Sequence, residues 1–180
     1  MCLIAGANLL LSSPVAAGGA AIVWIVVCAS TVAVILIDGA LALLIRHLPE
    51  RWFTHGLPVS RRECHLYILL GVRRWKDRIP ELGVFTGFHK NKVYRPRDNA
   101  YIARFILECH YGVAIHLAGA LLGFLIVFLY PLAYAPWIGV PVGVVNAVLN
   151  VLPIMALRYN LPKLEALYTL NQRRKTLVVK

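Results

Sequence analysis

The chain has 180 residues, 59% of them hydrophobic, and a formal net charge of +11, with a mean hydropathy of +0.69. A water-soluble domain of this length is not so apolar, so composition excludes an ordinary soluble enzyme and suggests one membrane domain, 1–180. The charge is segregated: Arg46 to Arg104 holds 13 Lys/Arg against 5 Asp/Glu, Arg158 to Lys180 holds 6 against 1, and only Asp38 and Glu108 lie elsewhere.

In chain order, the first charge is Asp38, so the N-terminus lacks the basic region of a signal peptide and is expected to be retained. Residues 1–14 are apolar and end in Ser12-Ser13-Pro14. They fit either the outer interface or a short hairpin into the bilayer. A first span is predicted over 15–45. As a helix it would be ~46 Å long against a hydrocarbon core of ~30 Å, so it must tilt or extend beyond the core. The basic segment that follows contains a predicted amphipathic helix, Arg61 to Arg78, ended by Pro80. Leu66, Leu69, Leu70, Val72 and Trp75 form its apolar side, with Arg62, Arg73, Lys76 and Asp77 as the charged complement. Gly83 to Asn99 reads as loop. Further spans are predicted over 111–130 and 137–157, joined by a link, 131–136, with interfacial tyrosines. Pro141 and Pro153 predict kinks in the third span. Leu161 to Arg174 is predicted as a separate interfacial helix, with Asn160 near its start and Pro162 in its first turn.

These elements give an all-α integral membrane protein of about three transmembrane helices plus cytoplasmic amphipathic helices. Lys and Arg beside a span hold it on the cytoplasmic side of the cell membrane and attract anionic headgroups. The expected topology therefore puts the N-terminus outside and residues 46–104 and 158–180 in the cytoplasm. A pI near 9.9 would otherwise raise nucleic acid as a partner, but no module that binds it is present.

Several residues have the chemistry for a site. Glu108, Gly112 and His116 are spaced i, i+4, i+8, near one face of a helix, with His116 ~12 Å beyond Glu108. Ionisable groups inside a span are costly and often functional. That separation argues against a direct dyad, so each needs partners from other elements; the plainer reading is a His bonded to a carbonyl and a solvated Glu. Asp38 fits the orienter of a His or the partner of an Arg, and the favoured reading is a structural ion pair with Arg46 or Arg158. Glu63-Cys64-His65 and Glu108-Cys109-His110 repeat a tripeptide of metal-ligating types, but neighbours on a helix point apart, and no metal or other cofactor is expected. The four cysteines show no disulfide framework. Arg73-Arg74-Trp75-Lys76-Asp77-Arg78 suits headgroup anchoring or the phosphates of a donor such as coenzyme A. The P-loop, the dinucleotide fingerprint, the Gly-x-Ser-x-Gly elbow and the His-x4-Asp acyltransferase motif are all absent.

Four stretches carry a resemblance: Leu48 to Phe53, Val72 to Pro80, Glu108 with His116, and Pro153-Ile154 followed by Arg158-Tyr159-Asn160-Leu161-Pro162-Lys163-Leu164. Together they resemble the glycosyl-4,4'-diaponeurosporenoate acyltransferase family of small bacterial membrane enzymes. The resemblance implies transfer of a fatty acyl group, from a thioester such as acyl-CoA, to a sugar hydroxyl of a carotenoid glycolipid. It implies membrane lipid, acyl donor and glycolipid acceptor as partners. His116 or His110 is then the expected general base, with Glu108 or Glu63 orienting it. Arg73, Arg74, Trp75, Lys76, Arg158, Tyr159 and Asn160 are the expected substrate-binding residues. The alternative is a non-catalytic membrane protein that binds anionic lipid or scaffolds a lipid-biosynthetic complex.

Overall fold

The computed structural model describes residues 20–54, 56–79, 92–123 and 138–178, together with Leu125. Among these, the regular elements are all helical: α1 (Ala20–His47), α2 (Arg61–Leu69), α3 (Val72–Trp75), α4 (Asn99–Gly123) and α5 (Val140–Val178), with 3-10 turns at Glu50–Trp52 and Lys76–Arg78. Three stretches are long and apolar enough to cross a membrane, Ile25–His47, Asn99–Gly123 and Val140–Leu177. The chain is a helical membrane protein. The apolar arm 1–14, most of the 83–99 loop and the 131–136 link lie outside the described residues.

Local chemistry sets the helix ends. α1 closes on Arg46, a cation at the negative end of the helix dipole, and on His47, whose Nδ1 bonds the Leu43 carbonyl at 2.8 Å. The Ser60 hydroxyl accepts the Glu63 N–H at 3.1 Å and caps α2. Asp98 Oδ1 accepts the N–H groups of Ala100 and Tyr101 at 3.0 and 3.2 Å, opening α4 well before the span predicted from Tyr111.

Two sequence expectations are corrected. The single helix over 61–78 is cut at Gly71, whose φ of 62° is left-handed, and the chain restarts as α3 and a 3-10 turn. The third span does not stop at Leu157 before a separate interfacial helix. α5 is one helix of 39 residues that runs through Pro153 and Pro162. Neither proline ends it, since an interior proline costs one backbone bond that neighbours can offset.

The chain divides into two compact units. The first comprises 1–47 and 115–151, so it holds α1, the end of α4 and the start of α5. Val27, Val34, Ile138 and Val142 form its core, with Val26 against them. The Ser30 and Thr31 hydroxyls donate back to the Val26 and Val27 carbonyls, each at 2.7 Å, which satisfies them inside an apolar helix. Ile25, Leu36, Leu43, Leu44 and Leu121 are exposed, as a surface facing lipid requires.

The second unit comprises 48–114 and 152–180. Its core is Phe105, Cys109, Leu161 and Leu164, flanked by Val59, Val93, Tyr101, Ile106 and Leu157. At Gly112 a Cβ would lie 2.7 Å from Leu157 Cδ1, so the leucine packs directly on the glycine. Asn171 Nδ2 donates to the Pro96 carbonyl at 2.7 Å and fastens the segment before α4 to the end of α5.

Candidate functional site

Inside the first unit, α5 presents Asn146 and Asn150, one turn apart and both buried. The direction of every bond follows from groups that can only accept. The Gly119 carbonyl accepts from Asn146 Nδ2 at 2.9 Å, so the other amide atom of Asn146 is its oxygen. That oxygen accepts from Asn150 Nδ2 at 3.0 Å, and Asn150 Nδ2 also faces the Asn146 carbonyl at 3.2 Å and Asp38 Oδ2 at 3.4 Å. The amide nitrogen of Asn150 thus turns toward three oxygens, and its Oδ1 turns to His116 Nδ1 at 2.9 Å. A proton must then sit on Nδ1, so the neutral imidazole carries its lone pair on Nε2.

α4 makes room for this network. A Cβ on Gly119 would overlap Asp38 Oδ1 and lie 3.1 Å from Asn150 Oδ1. On Gly123 it would overlap Asn146 Nδ2 and lie 2.7 Å from Asn146 Cγ. Glycines one turn apart let polar side chains approach a helix backbone within a span.

The second unit holds a different, charged cluster. Arg158 grips Glu63 with two bonds, Nε to Oε1 at 2.5 Å and Nη2 to Oε2 at 2.7 Å. Its Nη1 and Nη2 also donate to the Leu57 and Pro58 carbonyls at 3.1 and 3.3 Å. The Tyr67 hydroxyl donates to Glu63 Oε1. The Arg158 bond holds the Glu63 carboxyl down to about 2 against the opposing effect of burial, with Tyr67 and the Ser60 backbone N–H assisting. Burial, then the Glu63 carboxylate, push the Tyr67 phenol up to about 12. Arg158 and Glu63 therefore clamp the Leu57–Glu63 segment, and four of the five guanidinium N–H groups are used.

Arg104 bridges two carboxylates, with Nη1 2.6 Å from Glu50 Oε1 and Nη2 2.9 Å from Glu108 Oε1. Glu108 is thus paired one turn back along α4. His110 Nδ1 lies 2.7 Å from the Phe53 carbonyl and must donate to it. Its ring packs on Gly56, where a Cβ would overlap it. Tyr111 adds a ring contact with Phe53 at 4.5 Å between centroids.

The remaining predicted residues lie on α3, the 3-10 turn after it and α5, all in the second unit. Arg73 and Arg74 are exposed, Lys76 is 2.7 Å from Asp77, and Trp75 Nε1 donates to the Leu70 carbonyl at 3.0 Å. Tyr159 lies under the Lys163 ammonium, 3.7 Å from its ring centroid, and Asn160 is half-buried beside it in sequence. Asp38 accepts a hydrogen bond from Asn150. Among the described residues, no three His, Cys, Asp or Glu side chains gather as metal ligands would. Sequence reasoning singled out His116 and Asp38 but missed Asn146, Asn150, Gly119 and Gly123. The repeated i, i+4 spacing of polar and of glycine residues inside apolar helices was the signal.

Membrane-spanning helices with an imidazole held by buried amides define a helical membrane protein that carries a polar network inside an apolar unit. The chain belongs to the glycosyl-4,4'-diaponeurosporenoate acyltransferase family, which residues 49–170 match, and it is an acyltransferase of carotenoid glycolipid synthesis. No curated protein and no solved structure matches it. His116, Asn146, Asn150, Glu63 and Arg158 fall inside the matched stretch, and Asp38 precedes it.

Proposed function

We propose that the chain transfers a fatty acyl group from a thioester such as acyl-CoA to a sugar hydroxyl of a glycosylated carotenoid, with His116 as the general base. The observation that carries the base assignment is the directed chain from His116 through Asn150 to Asn146 and the Gly119 carbonyl. It fixes the tautomer that leaves Nε2 able to take a proton, as an asparagine does for a catalytic imidazole elsewhere. In the reaction, Nε2 removes the hydroxyl proton while the sugar oxygen attacks the thioester carbonyl. The tetrahedral adduct then collapses, the C–S bond breaks, and the imidazolium returns the proton to the departing sulfur.

The acyl chain and the carotenoid both partition into lipid, which suits a base carried within an apolar unit. For the donor's phosphates, Arg73 and Arg74 are the candidate partners, being exposed cations. Arg158, Tyr159 and Asn160 serve the second unit in this reading, Arg158 as the clamp on Glu63. Glu108 and Glu63 are held by arginines and keep a structural role. The basic segments and the C-terminus face the cytoplasm, where acyl thioesters are available.

The test is ester formation by the purified protein in phospholipid vesicles, supplied with labelled acyl-CoA and a glucosylated carotenoid. The wild type should yield a labelled ester of the glycoside. His116→Ala should lose the rate and His110→Ala should retain most of it. Product in the wild type only with free fatty acid would sink the thioester donor.

A further inference from the structure

Asp38 is the unexplained charge of the first unit. It sits in the apolar stretch of α1, two turns before Arg46 and His47. One carboxylate oxygen receives Asn150 Nδ2 at a long 3.4 Å. The other, Oδ1, is buried with no hydrogen bond among the described residues and lies against Gly119. A carboxylate held so poorly inside a span is costly, and an ion pair or a second donor would ordinarily relieve it. The sequence of the unit offers only Arg46, His47 and His116 as further charged or imidazole groups. His47 is bonded to the Leu43 carbonyl at the end of α1. His116 is the group joined to Asp38, through Asn150.

We infer that Asp38 is a positioning residue for the acyl transfer, acting on His116 through the Asn150 amide and supplying the negative charge that balances the imidazolium formed when Nε2 takes the hydroxyl proton. The role rests on the assignment of His116 as base. The geometry favours this over a structural purpose. Each Asn150 Nδ2 bond to Asn146 is shorter than its bond to Asp38, so the amide is already fixed without the carboxylate. What Asp38 alone adds is charge, and charge matters only when the imidazole becomes a cation. Proton transfer creates that cation in the transition state, so the interaction lowers the barrier without tightening substrate binding. Asp38 precedes the stretch that matches the family model.

The deciding variant is Asp38→Asn, which keeps the shape and an acceptor oxygen and removes the charge. Because Asn150 already sets the tautomer, the fall in kcat should be about 10- to 100-fold, below the loss seen where the carboxylate itself sets the tautomer. KM for both substrates should stay within about twofold, the signature of a lost transition-state interaction. Thermal stability in detergent should be equal to the wild type or higher, because a poorly satisfied buried charge is gone. Asp38→Ala, run beside it, should show the same kcat loss. A kcat within about threefold of wild type, or a loss of activity accompanied by a lower melting temperature, overturns the inference. His116→Ala separates the two levels. If it retains the wild-type rate, the base assignment fails and the Asp38 role with it; if it loses the rate while Asp38→Asn does not, the Asp38 role alone fails.

Discussion

Replacing Gly123 by alanine should destabilise the first unit, against the usual rule for glycine in a helix. Within a helix, Gly→Ala ordinarily gains up to ~1 kcal/mol. Here the added methyl would overlap Asn146 Nδ2 and lie 2.7 Å from Cγ and 3.4 Å from Cβ, so the whole side chain must swing away. Swinging breaks the bond from Asn146 Nδ2 to the Gly119 carbonyl and removes the oxygen that accepts from Asn150. Inter-helical bonds of this kind are worth ~0.6 to 1.7 kcal/mol each in membranes. Two of them outweigh the helix gain, and the net loss should be about 1 to 2 kcal/mol. Thermal unfolding in detergent, followed by circular dichroism, measures it against Gly39→Ala, where a Cβ on α1 would meet nothing within 4 Å. Gly39→Ala should be neutral or stabilising. A Gly123→Ala protein as stable and active as Gly39→Ala would refute the packing of α4 on the asparagine pair.

The second unit should show an acid transition set by Glu63. Its carboxyl is held at about 2 in the folded chain against an ordinary 4.5, so the stabilisation is complete above pH 4.5 and is lost as pH falls toward 2. Acid titration of unfolding should therefore show a component in that window which Glu63→Gln lacks. Arg158→Lys, which cannot form the bidentate grip or hold the Leu57 and Pro58 carbonyls together, should lower stability by about 1 to 2 kcal/mol, read from the same unfolding curves. Arg174→Cys, at an exposed position of α5, should react with a membrane-impermeant maleimide in inside-out vesicles and not in intact cells; the reverse pattern would invert the proposed topology.

The three spans were legible as apolar runs bounded by basic residues, because burial in lipid demands both. Their ends were less so. α4 begins at Asn99 because Asp98 caps it and because Arg104 and Glu108, one turn apart, satisfy each other's charge. A hydropathy reading discards those charged turns. α5 continues past Leu157 because the basic segment after it remains helical against Phe105 and Cys109, a tertiary effect that no local pattern carries. Gly71 cut the predicted amphipathic helix through its left-handed backbone, which an apolar repeat does not reveal. At the site, Glu108 and His116 drew notice as charges in an apolar context, yet their shared helix face did not make them partners. Glu108 is bound by Arg104, and His116 by Asn150. Uncharged asparagines leave little trace in a charge map, so the network that orients the histidine became visible only when α4 and α5 were placed together.

The most direct measurement is the rate of labelled ester formation by His116→Ala in phospholipid vesicles, beside wild type and His110→Ala. Loss of the general base should lower kcat by about 10²- to 10⁴-fold, with the helical content of the protein unchanged and His110→Ala close to wild type. A His116→Ala protein that acylates the glycoside at the wild-type rate would contradict the account.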